Sequence, residues 1–146
     1  MTIQVFVEAE MGSFEKRKYN EKTLEYQGSR QTILSYPFPY GFIMKTETED
    51  GDGIDAYVIT KDYLEAGQLV ECEPMAILEV FEGDEIDNKV LACVVGQTVE
   101  FDGKLLEILQ DFIYGIWKDA PEVKIRVERL LSRQEAIEYI EKHTSE

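Results

Sequence analysis

The chain has 146 residues, 44% of them hydrophobic, enough for one compact domain with its own core and too few for two. Thirty acidic against fifteen basic residues give a formal charge of −15, which repels nucleic acid and anionic membrane surfaces and attracts cations, so a divalent metal is the natural partner. No window approaches the roughly 20 uninterrupted apolar residues of a membrane span, and the acidic start from Met1 to Phe14 lacks the basic-then-apolar plan of a signal peptide; a soluble, cytoplasmic protein is expected.

Along the chain, Thr2 to Ala9 alternates, with Ile3, Val5 and Val7 on one face and Gln4, Phe6 and Glu8 on the other, the period of a strand. Similar short runs, rich in β-branched and aromatic residues and punctuated by Gly, Asp, Asn or Pro, predict strands at Phe42–Thr46, Ile54–Thr60, Leu69–Cys72, Ala76–Phe81 and Lys89–Val95. Many short strands at this spacing point to a closed barrel. After Asp102, a candidate N-cap, Leu105, Leu109, Phe112, Ile113, Ile116 and Trp117 recur at helical spacing until Pro121. Val123, Ile125 and Val127 alternate as a further strand, and Ser132 with Glu135 forms a capping box that opens a last helix running to about His143. The lone His143 is expected at the surface. Cys72 and Cys93 stand singly in apolar strand-like segments, without a partner at zinc-ligand or redox spacing, and read as buried free thiols.

Three carboxylates fall within six residues at Asp50-Gly51-Asp52-Gly53-Ile54-Asp55, where two glycines let the backbone turn tightly enough to aim acids at one spot. Like charges this close resist ionising together unless a cation sits among them. An EF-hand loop requires a bidentate Glu at its twelfth position, which here is Lys61, and the flanks read as strand, so that match is rejected. A water-exposed acidic hairpin, preceded by Glu47 and Glu49, is the plain alternative. A second acidic stretch, Glu82-Gly83-Asp84-Glu85-Ile86-Asp87, runs directly into Asn88, Lys89 and an apolar strand, and by itself is another solvated turn. Basic and aromatic residues gather at Lys16-Arg17-Lys18-Tyr19 and at Tyr36-Pro37-Phe38-Pro39-Tyr40-Gly41.

In this order and spacing, the blocks resemble the soluble type I inorganic pyrophosphatases from Glu8 to Lys118: Tyr36-Pro37-x-x-Tyr40-Gly41 ahead of Asp50-x-Asp52-x-x-Asp55, then Cys72-x-Pro74, then Asp87-x-Lys89. The resemblance implies a mainly β fold with α, an OB-like five-stranded β-barrel flanked by two helices, over residues 1–146 as a single domain. It implies Mg²⁺-dependent hydrolysis of pyrophosphate, with Mn²⁺ as a possible substitute, by a symmetric homo-oligomer, commonly a hexamer among bacterial members. On the matching positions, Asp50, Asp55 and Asp87 are the implied direct metal ligands and Glu8 and Glu82 outer acids that place metals arriving with substrate. Asp52 is the implied general base, and Lys16, Arg30, Tyr40, Lys89 and Lys118 the implied phosphate-holding groups, with Tyr36 as a support. Because pyrophosphate and this chain repel each other, substrate is expected to arrive with metal.

Several positions depart from the family pattern. Gly53 replaces the usual Pro or Glu and loosens the acidic loop; Glu82 replaces Asp; Trp117 replaces a phosphate-binding Tyr; the Glu of Lys-Tyr-Glu is lost, leaving Lys16 or Lys18 as the phosphate ligand; and Arg30 lies about two residues nearer Tyr36, which requires a shortened hairpin or turn. These changes cluster on the phosphate side, which leaves three alternatives: a hydrolase of larger diphosphates or polyphosphates, a barrel that binds metal or phosphate without turnover, and an OB-fold reader of single strands, which the charge opposes.

Overall fold

The computed structural model describes residues 1–145. Nine strands and two helices follow in chain order: β1 Ile3–Ala9, β2 Glu15–Tyr19, β3 Tyr26–Gln31, β4 Tyr40–Ile43, β5 Asp55–Val58, β6 Leu69–Glu82, β7 Glu85–Ile86, β8 Lys89–Val94, α1 Gly103–Ile116, β9 Ile125–Leu131 and α2 Arg133–Lys142. β1 pairs antiparallel with β4 and with β6, β4 pairs antiparallel with β5, β5 runs parallel to β8, and β8 returns antiparallel to β6. These five strands close on one another, so the expected five-stranded barrel with two flanking helices is present.

Two runs anticipated as separate strands, Leu69–Cys72 and Ala76–Phe81, are one strand of 14 residues. Pro74 sits inside it, next to a register shift against β8, the irregularity at which a strand tolerates a residue without an N–H. The length lets β6 serve β1 with its first part, β8 with its middle and β9 with its last. The antiparallel hairpin β2–β3 was not anticipated at all, because Glu15–Tyr19 and Tyr26–Gln31 are polar and mostly exposed and carry no apolar alternation.

Alternation along the central strands divides the core in two. Ala56 and Val58 of β5 and Val90 and Ala92 of β8 join Val5, Val7 and Ile43 against Ala136 and Ile140 of α2. Their neighbours Tyr57 and Leu91 face the other way, onto Leu105, Leu109, Phe112 and Ile113 of α1. Both helices begin at the expected caps: the Asp102 side chain accepts from the Leu105 N–H, and Ser132 and Glu135 complete a reciprocal capping box. Cys72 and Cys93 are free and buried.

His143 departs from its surface expectation. It is half-buried as the C-cap of α2, and its carbonyl accepts from the Glu47 N–H at 2.9 Å while the Ser145 N–H donates to the Lys45 carbonyl at 2.7 Å. Residues after α2 thereby hold the segment that enters the acidic loop. Among the described residues no helix is long and apolar enough to cross a membrane.

At Gly41 the paired strand leaves no room for a side chain: a Cβ would stand 1.8 Å from the Phe6 carbonyl oxygen. Gly41→Ala is therefore expected to cost about 3 kcal/mol or more, since backbone cannot yield as a flexible side chain does. An unfolding midpoint in urea equal to that of the parent chain would overturn this packing.

Candidate active site

The two acidic loops lie far apart in sequence and meet because β5 and β8 pair in parallel, with Asp55 directly opposite Lys89. Each is the first residue of its strand and emerges from an acidic loop. Alternation then puts Asp55 on the same face as Tyr57, at the end of the aromatic group formed by Tyr36, Tyr40, Tyr57 and Phe112. A cavity of about 380 Å³ opens there, a volume ordinary for a small-molecule site.

Glu8, Lys16, Arg30, Tyr40, Asp50, Asp52, Asp55, Glu82, Asp87 and Lys89 all line this cavity. Lys118 does not. The chain leaves α1 one residue earlier, and Ile116 and Trp117 form the wall instead. Of the two candidate lysines it is Lys16 that lines the cavity, its ammonium 5.4 Å from the centre of the Tyr40 ring, while Lys18 is exposed outside. Arg30 reaches the cavity because β3 pairs with β2, opposite Lys16, so the hairpin supplies the short connection that its spacing required. Glu21, which sequence reasoning passed over, also enters the cavity from the turn between β2 and β3. Its only sequence signal was an acid near the basic segment, and its direction depends on the hairpin.

Lys89 organises the inner wall. Its buried ammonium donates to Asp55 Oδ2 at 2.8 Å, to the Tyr40 hydroxyl at 2.9 Å and to Asp87 Oδ2 at 3.2 Å, which commits all three of its donors. Burial alone would lower its pKa, but Asp55, Tyr40 and Asp87 reverse this and hold Lys89 well above the usual lysine value. Burial likewise opposes ionisation of Asp55, and Lys89 and Lys16 outweigh it, so its carboxyl is held below the ordinary range. Asp87 goes the other way: burial raises it, and Asp55 adds to the rise against the pull of Lys89.

The three acids of the first loop are held differently. Asp50 Oδ1 accepts from the Thr48 hydroxyl and, at 2.9 Å, from the Asp52 N–H, so it folds its own loop. Asp55 is bound to Lys89. Among the described residues no protein group donates to the Asp52 carboxylate, and burial, with the charges of Asp50 and Asp55, raises its pKa above the ordinary aspartate value. Asp52 is a stronger base than a free carboxylate and is open to a proton.

Seven carboxylates and three cationic side chains face the cavity, an excess of negative charge. Its effect is plainest at Glu8, which is 4% exposed: burial, with the charges of Asp55, Glu21 and Asp52, pushes its pKa up to about 7 despite Lys16. The donor set suits a hard divalent cation. Among the described residues no three acids by themselves converge as a chelate.

The raised pKa of Glu8 has a consequence for folding. Its folded value lies above the unfolded carboxyl value, so the stabilisation is fully present below the unfolded value of about 4.5 and is lost as pH rises through about 7. In chelator, Glu8→Gln is expected to match the parent chain in urea unfolding at pH 4 and to exceed it at pH 8.5, by at most about 3 kcal/mol. The same stability difference at both pH values would overturn this.

The sequence pattern of the inorganic pyrophosphatase family matches residues 5–146. The inorganic pyrophosphatase of Nanoarchaeum equitans is 28% identical over 142 residues, covering 94% of this chain and 81% of that protein. That of Aquifex pyrophilus is 31% identical over 121 residues, 76% of this chain and 68% of its own length. In three dimensions, an inorganic pyrophosphatase of Helicobacter pylori superposes with a TM-score of 0.87 at 21% identity, over 97% of this chain and 91% of that one, a likeness of fold. With the pattern matched almost from end to end and the same barrel beneath it, the chain belongs to the inorganic pyrophosphatase family.

Proposed function

We propose that this protein is an inorganic diphosphatase that hydrolyses pyrophosphate to two phosphates with Mg²⁺, Mn²⁺ serving in its place. The observation that carries the reading is the division of roles in the acidic loop: Asp50 and Asp55 are tied down, and Asp52 beside them keeps an uncommitted carboxylate of raised basicity.

Asp50, Asp55 and Asp87 are the proposed direct ligands for divalent ions, with Glu8 and Glu82 as outer acids. The bound ions supply charge neutralisation for the phosphates and lower the pKa of a water in the cavity. The Asp52 carboxylate takes the proton from the attacking water as its oxygen bonds to phosphorus and the bridging P–O bond breaks. Lys16 and Arg30 face the cavity, without a carboxylate partner among the described residues, and hold phosphoryl oxygens and offset charge on the leaving phosphate. Tyr40 joins them through its hydroxyl, and Lys89 is the proposed inner cation of the set, while Asp55 and Asp87 beside it would hold a divalent ion. Lys118, one residue beyond Trp117 of the cavity wall, is the remaining proposed phosphate-holding group. A reaction of this class asks for a barrier reduction of roughly ten kcal/mol or more, which positioning, charge neutralisation and water activation together can supply without a covalent intermediate.

The reading extends to a cytoplasmic homo-oligomer. In support, Phe14 is 54% and Ile33 49% exposed, apolar surface that a second copy would cover. A single-chain mass by light scattering would overturn that part.

One observation favours a larger diphosphate as the second reading. Arg30, Ile116 and Trp117 are shared between the cavity and an adjoining recess of about 230 Å³ that Ile33 helps to line, room for an organic substituent.

The deciding measurement is phosphate release from pyrophosphate with Mg²⁺. Release is expected to stop with chelator and to fall by about 100-fold or more in Asp52→Asn, the scale of a lost general base. Undiminished release in that variant would remove Asp52 as the base, and release from an organic diphosphate but not from pyrophosphate would favour the second reading.

A further inference from the structure

Gly53, which on sequence alone loosens the acidic loop, is buried, and its N–H donates to Glu21 Oε1 at 2.7 Å. We propose that Glu21 is the positioning residue of the Asp50–Asp55 loop, an acid lent by the β2–β3 turn that fixes the backbone between the base and the metal ligand. This deepens the diphosphatase reading and rests on it for its kinetic half.

The turn is built to present this side chain. Asn20 Oδ1 accepts from the Lys22 and Thr23 N–H groups at 2.9 and 3.0 Å, its carbonyl accepts from the Leu24 N–H at 2.7 Å, and its own N–H donates to the Glu25 carbonyl at 2.9 Å. Leu24 takes φ 63, a left-handed conformation that closes the turn. With the hairpin tip rigid, half-buried Glu21 points into the cavity.

At the receiving end, both sides of Gly53 are fixed by other bonds. The Asp52 carbonyl accepts from the Thr48 N–H at 2.8 Å, and the Ile54 N–H donates to the Thr46 hydroxyl at 2.9 Å. Between them, Glu21 supplies the acceptor for the buried Gly53 N–H. The space is matched to a glycine: a Cβ at position 53 would stand 3.0 Å from Glu21 Oε1 and 3.2 Å from Phe42 Cδ2. A proline there would remove the donor. The chain thus replaces a stiff residue in the loop by a hydrogen bond from another strand pair.

Three variants of the full chain test this. Glu21→Gln keeps an acceptor oxygen at the same reach without the charge, Glu21→Ala removes the acceptor, and Glu21→Asp keeps the charge but withdraws the oxygen by one methylene. Exchange of the Gly53 amide hydrogen is expected to quicken about tenfold or more in the Ala and Asp variants and to stay near the parent rate in Gln. With Mg²⁺ and pyrophosphate, kcat is expected to fall about tenfold in Ala and Asp with KM little changed, and to be largely kept in Gln. Equal losses in Gln and Ala, or a parent-like Ala variant, would overturn the proposal; if Ala does not fold, the contrast between Gln and Asp decides it. Should the parent chain fail to hydrolyse pyrophosphate, the proposed function falls, and amide exchange still decides the positioning claim.

Discussion

The site depends on one buried ammonium and the strand pairing that places it. Lys89 sits opposite Asp55 because β5 and β8 run parallel, and from there it reaches Asp87 and Tyr40 as well. Each of these groups would be costly to bury alone, and removing one partner from such a set costs on the order of 3–5 kcal/mol, because the others are left uncompensated. The arrangement also spans the fold: Tyr40 belongs to β4, Asp55 to β5, and Asp87 and Lys89 to the turn into β8 and its first residue. A slip of one residue between β5 and β8 would turn either Asp55 or Lys89 to the opposite face.

The core supports this placement from two sides. On one, α1 covers Tyr36, Tyr40 and Tyr57, so the aromatic floor of the cavity is continuous with packed interior. On the other, α2 buries Ala136 and Ile140 in the second cluster, and residues 143–145 hold the segment 45–47 that follows β4. The acidic loop therefore starts from a fixed point and ends at another, Asp55. What lies between turns at Gly51, φ 89, and is held by Asp50, Thr46, Thr48 and Glu21.

Charge is distributed in layers over the same space. Lys89 neutralises the inner acids, while Asp52, Glu8 and Glu21 stand in a field of like charges that raises the pKa of each, burial contributing most. Like charges in such a cavity oppose one another, and a cation placed among them would offset that repulsion. Lys16 and Arg30 come from the β2–β3 hairpin rather than the barrel, so these two cations are carried by a different part of the structure from Lys89 and the acids it holds.

Much of this was legible in the residues themselves. Alternation marked β1 and β9, β-branched and aromatic content marked β5 and β8, the caps at Asp102 and Ser132 marked both helices, and the acidic loops stood out by composition, since all of these are written in neighbouring residues. The order of the motif blocks carried the family. The polar hairpin β2–β3 was illegible because strands that bury little carry no apolar period, and with it went the choice of Lys16 over Lys18, the reach of Arg30 and the part played by Glu21. Trp117, not Lys118, faces the cavity because the end of α1 sets where the chain turns. Local patterns therefore determined which residues form the elements and which acids crowd together. Which side chains share the cavity was decided by long-range pairing, Asp55 with Lys89 and Gly53 with Glu21, because contacts between residues more than thirty positions apart leave no period in the sequence.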